Sequence, residues 1–509
     1  MGSVNDLLAG FGHILTPQTM LFAVIGCALG MVTGILPGLG PSGATGLLLP
    51  VAFVLDPTYS IVMLVAIYYG AMYGGTITSV LLNVPGEAAS VATCIDGFEM
   101  TKRGLAGKAL SIAAVGSFVG GILALIGMLF SATLAEKAIE LSYLDTFAFA
   151  LLALSLVILL SGQSMVKGII AALFGLFIGM IGLDYFTGVA RFTGGVQNLT
   201  DGLDFIPVIM GLFGLAEILE SIGGKAPKDF TKNIGSLRLS LRDIRESSGS
   251  MLRGSLIGFG FGLVPGSPAA TCAFVSYGVE KRVSKTPERF GKGAIQGVAG
   301  PETANNAMAI SNYIPLLMLG IPSSATMAIL LAAFTINGLS PGPLLFAQNP
   351  EIAWGVIASL WVSNVILLVM ALPLVRMWVS ILKVPTLVLY AGTIGIMTFG
   401  AYTINGQVFD IGVMWAFGII GFLLRRLGVP LAPAALTIVL GPFLENNFRR
   451  ALSVQQGDYS AFVGSWPADI AYVLLLTVIV WKVVRSVQTY RAKQRVIQEH
   501  EDDLVRTGA

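Results

Sequence analysis

The sequence predicts an all-α, polytopic membrane protein of about 12 transmembrane segments, with re-entrant or broken helices in an inverted-topology repeat. Three observations lead there. The first is composition: of 509 residues, 55% are hydrophobic and 11% charged, against about 25% charged in soluble proteins. The second is the stretch 254–280, apolar almost throughout and interrupted by Pro265-Gly266, with Arg253 before it and Lys281, Arg282, Lys285, Arg289 and Lys292 after it. It is too short for two crossings, which need roughly 40 residues. A single crossing would set basic loops on opposite sides, against the gathering of Lys and Arg in the cytoplasm. A hairpin that enters the membrane, turns at Pro-Gly and leaves on the same side meets both constraints. The third is recurrence: Gly26, Gly30, Gly34, Pro37 and Gly38 return as Gly254, Gly258, Gly262, Pro265 and Gly266, each 228 residues later (254 − 26, 266 − 38).

Taken in order, residues 1–222 read as a first membrane repeat, with breaks near 37–41 and 84–86. No cation occurs before Lys102, so the first segment starts and turns on the external side, and Lys102, Arg103 and Lys108 form the first cytoplasmic loop. The start of the chain lacks a basic n-region and a small-residue cleavage pattern, so no cleavable signal peptide is expected; Gly2 as an acylation site is idle beside spanning helices. Further apolar segments run near 109–134, 145–161, 164–183 and 205–222. Residues 223–253 carry Lys225, Lys228, Lys232, Arg238, Arg242, Arg245 and Arg253 and read as a cytoplasmic linker. A second repeat, 254–484, holds the hairpin with its tip near 265–268 and a break near Pro322, then segments near 293–320, 322–346, 352–376, 384–400, 408–424, 430–444 and 468–484. The charged residues 485–509 read as a cytoplasmic tail. The matching openings differ in flanking charge, which is what opposite orientations in the membrane require.

Broken helices leave backbone N–H and C=O groups without helical partners, tolerated at membrane depth only in buried or cavity-lining positions. Such breaks point to a transport site. At the first tip, Pro37, Gly38, Gly40, Ser42 and Thr45 combine a helix breaker, free backbone N–H groups that attract anions and hydroxyl donors. Pro265, Gly266, Ser267 and Thr271 offer the same at the second. The stretch 300–312 holds Glu302, Thr303, Asn305, Asn306, Ser311 and Asn312. Polar groups there are expensive unless they pair or face a cavity. Two readings stand: Glu302 holds a proton or coupling cation while Asn305 and Asn306 bind a carboxylate through their NH2 groups or a cation through their carbonyl oxygens, or Pro301-Glu302-Thr303 cap an interfacial helix. Asn83, Ser323, Ser324 and Thr326 flank the Pro breaks as candidates of the same type.

Other chemistries are excluded or unsupported. Only His13 and His500 occur, so multi-His metal sites are out. Cys27, Cys94 and Cys272 lie in apolar or small-residue stretches without metal or redox spacing. Gly38, Gly40 and Gly43 spell G-x-G-x-x-G but lack the strand and βαβ unit a dinucleotide needs. No HExxH, G-x-G-D or Walker lysine appears, so neither enzyme activity nor a resident cofactor is expected. A net charge of +2 suggests no nucleic-acid partner.

The segments GILPGLGP (34–41), EKRVSKTPERFGKGAIQGVAGPETANNA (280–307), PLLMLGIP (315–322) and NGLSPGPLLF (337–346) resemble the large membrane subunit of tripartite tricarboxylate transporters, the TctA family, over roughly residues 20–450. The resemblance implies a multi-pass subunit of the bacterial inner membrane that imports carboxylates on a gradient of Na+ or H+. It also implies two partners, a small four-helix membrane subunit and a periplasmic substrate-binding protein. By that similarity Pro37, Gly38, Pro265, Gly266 and Pro322, with Glu302, Asn305 and Asn306, fall on family motifs. After Ile321-Pro322 the family often has Gly where this chain has Ser323-Ser324, so the resemblance specifies a carboxylate without singling out citrate. By residue type, Asn305, Asn306, Ser323, Ser324 and the two tips are expected to hold substrate, and Asn83, Glu302 and Thr303 the coupling ion. A passive channel or a non-transporting scaffold subunit is the alternative.

Overall fold

The computed structural model describes residues 3–36, 40–53, 55–138, 140–160, 164–184, 186–222, 234–381, 386–482, 484 and 488. It is 79% helical. In chain order the helices are α1 Ser3–Ile14, α2 Pro17–Ile35, α3 Gly40–Phe53, α4 Pro57–Leu82, α5 Val91–Lys102, α6 Ala106–Ala138, α7 Tyr143–Leu160, α8 Met165–Gly179, α9 Phe205–Ile209, α10 Ala216–Ile222, α11 Leu241–Leu263, α12 Ala269–Val283, α13 Gln296–Ser311, α14 Tyr313–Leu319, α15 Ala325–Ile336, α16 Pro343–Gln348, α17 Pro350–Ala371, α18 Val375–Ile381, α19 Thr386–Asn405, α20 Val408–Arg426 and α21 Leu431–Val454. A further helix covers 466–482. Among the described residues six helices are long and apolar enough to cross a membrane: α2, α4, α6, α7, α17 and α20. The protein is therefore an all-α, membrane-integral chain, with fewer full-length apolar helices than the dozen segments expected. Interrupted helices account for part of the gap: α13 and α14, and α15 and α16, divide stretches that read as continuous.

Local chemistry sets the helix ends. Thr16 and Asp56 cap α2 and α4, each followed by Pro at the first helical position. α4 ends in left-handed Asn83 (φ 57°) and α14 in left-handed Gly320 (φ 71°), each two residues before a Pro. The stretch read as a linker, 223–253, needs correction. Ser240 and Asp243 form a capping box that starts α11 at Leu241, so the first arm of the hairpin is longer than its apolar part. Residues 223–233 lie outside those described, as do Pro37 and Gly38 and nearly all of the proposed tail.

The two G-x3-G-x3-G patterns are packing ladders. Side chains at Gly26, Gly30 and Gly34 of α2 would run into the carbonyls of Met63, Ile67 and Ala71 of α4; those at Gly254, Gly258 and Gly262 of α11 would run into the carbonyls of Gly300, Ala304 and Met308 of α13. In both pairs the residue numbers rise together, so the helices run parallel and backbone touches backbone, as small-residue ladders permit. Each ladder delivers its arm to a break. The Gly266 N–H at the second tip donates to the Ser323 carbonyl at 2.8 Å. At the first break Gly86 lies against Gly75 and the Gly34 carbonyl.

Beyond α8 a short ribbon pairs Gly182–Leu183 with Ala190–Arg191. Arg191 and Arg449 interlock with Asp184 and Glu445 there, at 2.8–3.7 Å. The Phe186 N–H holds the Asp184 carboxyl down to about 2, so its contribution is present above the ordinary carboxylate range and is lost as pH falls through that value. Protease cleavage of 182–200 is expected to stay slow from pH 7 to pH 4 and to rise at pH 7 in Asp184→Asn. A second expectation concerns the ladder. Gly258→Ala overpacks it and costs about 1–3 kcal/mol, whereas Gly260→Ala, with nothing within 4 Å of the new methyl, does not destabilise; unfolding midpoints of the purified full chain in detergent compare the two.

Candidate functional site

α13 is sandwiched between the second hairpin and the α4–α6 group, and all its residues from Gly297 to Ser311 are buried. It begins at Gln296 and carries Pro301 inside it. Pro301, Glu302 and Thr303 are therefore not an interfacial cap but lie inside a buried helix.

Glu302 is fully buried. Thr76 of α4 donates to its Oε1 at 2.6 Å, Thr93 of α5 to its Oε2 at 3.0 Å, and Ser117 of α6 to its Oε1 at 3.3 Å. Asn306 donates to Ser117 Oγ at 2.7 Å and to the Glu302 carbonyl at 3.3 Å. No cationic side chain among the described residues pairs with Glu302. A carboxylate this deep is costly without a countercharge, and three neutral hydroxyls offset only part of that. The oxygens of Glu302, Thr76, Thr93 and Ser117 form a small cage suited to a proton or a hard cation, since a hydroxyl that donates to a carboxylate can turn and present its lone pairs.

A second polar group adjoins this cage. Asn305 donates to Glu87, which sits in the first break. Tyr68 lies near Glu87 and Asn312, and its ring centroid is 6.1 Å from that of Tyr313. The Oδ1 atoms of Asn305 and Asn306 and the hydroxyls of Tyr69 and Tyr313 are buried and have no partner among the described residues. Buried polar atoms are rarely left so. Two other buried carboxylates are held by several donors each. Asp96 accepts from Tyr277 at 2.9 Å and from the Gly293 and Ala294 N–H groups at 2.7 and 2.8 Å; Glu280 is gripped by Arg253 and Ser250. Both anchor helices.

Of the residues singled out from sequence, Glu302, Asn305 and Asn306 come together, as do Gly266 and Ser323, whose Oγ donates to the Asn312 carbonyl at 3.1 Å. Gly40 opens α3 with φ 49°. Ser42 is half-buried, and Thr45 returns its hydroxyl to the Pro41 carbonyl. Pro265 and Ser267 are half-buried and Thr271 is exposed. Ser324 caps α15. Thr303 donates to the Ala299 carbonyl and packs beside Gly116 and Gly120, away from the Glu302 carboxylate. Asn83 is exposed at the end of α4. Thr76, Thr93, Ser117 and Glu87 were not foreseen. The hydroxyls sit in runs that read as small-residue packing; Glu87, the first glutamate of the chain and directly after Pro85-Gly86, did carry a signal.

Comparison with known proteins gives the lineage. The model of the tripartite tricarboxylate transporter TctA family matches residues 20–436. The chain belongs to the TctA family. Among relatives of this TctA-family chain, an uncharacterised 52.8 kDa protein in the TAR-I ttuC′ 3′ region of Agrobacterium vitis is 40% identical over 504 residues, covering 99% of this chain and all of that one. An uncharacterised protein in the TAR-II ttuC′ 3′ region of the same organism is 41% identical over 238 residues, 47% of this chain and 97% of that one. No solved structure matches. The family is one of transporters, whose members work in general with a binding protein and a small subunit.

The hydroxyl cage makes a stability prediction. Glu302→Ala strands the Thr76 and Thr93 hydroxyls and costs about 1–3 kcal/mol; Glu302→Gln keeps one carbonyl acceptor and loses less. Equal losses in thermal unfolding would contradict the cage.

Proposed function

We propose that this chain is the large membrane subunit of a bacterial inner-membrane carrier that imports organic di- or tricarboxylates by alternating access, coupled to Na+ or H+. The observation that carries the reading is the likeness of the two breaks. Left-handed Asn83 answers to Gly320, Gly86 against Gly75 answers to Ser323 on Asn312, and Met63 and Ala71 under the first ladder answer to Gly300 and Met308 under the second. Each pair is 237 residues apart (320 − 83, 323 − 86, 312 − 75, 308 − 71), while the hairpin arms keep their own offset of 228 (258 − 30). This supports a duplicated unit, and the charge pattern supports its inversion in the membrane.

In this reading substrate carboxylates meet backbone N–H groups and hydroxyls at the tips and breaks (Pro37, Gly38, Gly40, Ser42, Thr45, Pro265, Gly266, Ser267, Thr271, Ser323 and Ser324) and the amides of Asn305 and Asn306. The coupling ion sits at Glu302 with Thr76, Thr93 and Ser117. Thr303 is the weaker candidate, because its hydroxyl is already spent on Ala299, and Asn83 touches none of the cage. No Lys or Arg lies at either break, so substrate charge is offset by dipoles and co-bound cations, which makes coupling strict. A periplasmic binding protein delivers the acid, a small four-helix subunit completes the membrane part, and the tail lies in the cytoplasm.

Right-side-out vesicles carrying all three proteins are expected to take up the acid only with a Na+ or proton gradient; uptake after its collapse would overturn the reading in favour of a channel. Ser267→Leu, at the half-buried second tip, is expected to assemble without transporting, and unchanged uptake in that variant would speak for a scaffold.

A further inference from the structure

A cavity of about 930 Å³ lies outside the cage and the tips. Sites for small organic ligands run about 300–1,000 Å³. Its floor reaches Leu319 and Ile321 at the second break, and its walls come from the start of α7, the end of α21 and the segment 461–465. It opens at the end of the molecule away from the first cationic loop: α6, 33 residues long, leaves Lys102, Arg103 and Lys108 behind, and α7 sets out from the far end.

One charged residue lines it, Arg450. Its neighbours Arg191 and Arg449 are neutralised by Asp184 and Glu445. Arg450 has no carboxylate partner among the described residues; its guanidinium lies 5.6 Å from the Tyr143 ring centroid. The nearby buried carboxylate, Asp145, is occupied by Ser142 N–H and Oγ and by Ser465 Oγ, which fixes two polar wall residues in place. Asn446 and Gln455 add further donors on the wall. An exposed arginine without a carboxylate partner at the end opposite the basic loops runs against the usual distribution of cations, and its planar fork matches a carboxylate.

We infer that the pocket around Arg450 is a waiting site for an organic di- or tricarboxylate, from which the acid passes to the second break at Ile321-Pro322. The substrate class rests on the carrier reading above; the anion site rests on the pocket itself. One carboxylate of the ligand pairs with Arg450, a second reaches the amide of Asn446 or Gln455, and the apolar floor leads inward. The cavity thus supplies the fixed cation that both breaks lack.

Binding of citrate and of succinate to the purified full chain in detergent tests this, with acetate as the single-carboxylate control. Arg450→Gln is expected to weaken citrate binding at least about tenfold, with Arg450→Lys between it and the parent. Affinity of the parent falls as salt rises, because the attraction is between charges, and that of Arg450→Gln changes far less. In vesicles with both partners, Arg450→Gln raises the half-saturating citrate concentration for uptake. Equal citrate binding by parent and Arg450→Gln at matched unfolding midpoints overturns the waiting site, and leaves the carrier reading intact if uptake persists. Salt-dependent binding through Arg450 without uptake sustains the site and overturns the carrier reading. A parent that neither binds nor transports these acids overturns both. Should Arg450→Gln fail to fold, the Lys variant and the salt dependence of the parent decide.

Discussion

Close approach of two backbones is the constraint on which this structure depends. Lipid tails are as apolar as leucine, so burial of oily side chains does little to bring one membrane helix to another. Contact must come from shape, and the glycine stripes on α2 and α11 provide it by removing every atom beyond Cα where Met63, Ile67 and Ala71, or Gly300, Ala304 and Met308, present their carbonyls. Weak Cα–H···O contacts accompany such crossings. The register of the stripes then decides where each arm ends, which is why the Gly266 N–H meets the Ser323 carbonyl.

α13 shows how one helix serves two masters. The stripe Gly300–Ala304 lies under the hairpin, so its small residues go to packing. The polar residues on its other side, Glu302, Asn305 and Asn306, turn toward α4, α5, α6 and the first break. The same small-residue richness that permits dense packing leaves room for a carboxylate with hydroxyl partners only. A lysine or arginine in that crowded place would be too long for the space.

Much of this was legible because it follows from local rules. The hairpin, the paired glycine stripes and the second Pro break are written as breaker residues at fixed spacing, and the cluster at 302–306 stands out as polar letters in an apolar run. What stayed hidden is relational. The start of α11 depends on a capping box in a basic stretch that resembles a loop. Thr76, Thr93 and Ser117 are ordinary small residues until three helices bring them to one carboxylate. Thr303 stands next to Glu302 in the chain and points elsewhere, because neighbours on a helix diverge by about 100°. Arg450 looks like the second half of a basic pair, and only the partners of Arg449 reveal that one of the two is unspent.

The interlock of Asp184, Arg191, Glu445 and Arg449 has a mechanical corollary. Alternating charges on two elements resist sliding in either direction, since any shift brings like against like. The ribbon after α8 is thereby tied to the last turns of α21, so the exposed apolar residues Leu183, Val189 and Phe192 belong to an element fastened to the helix that bears Arg450.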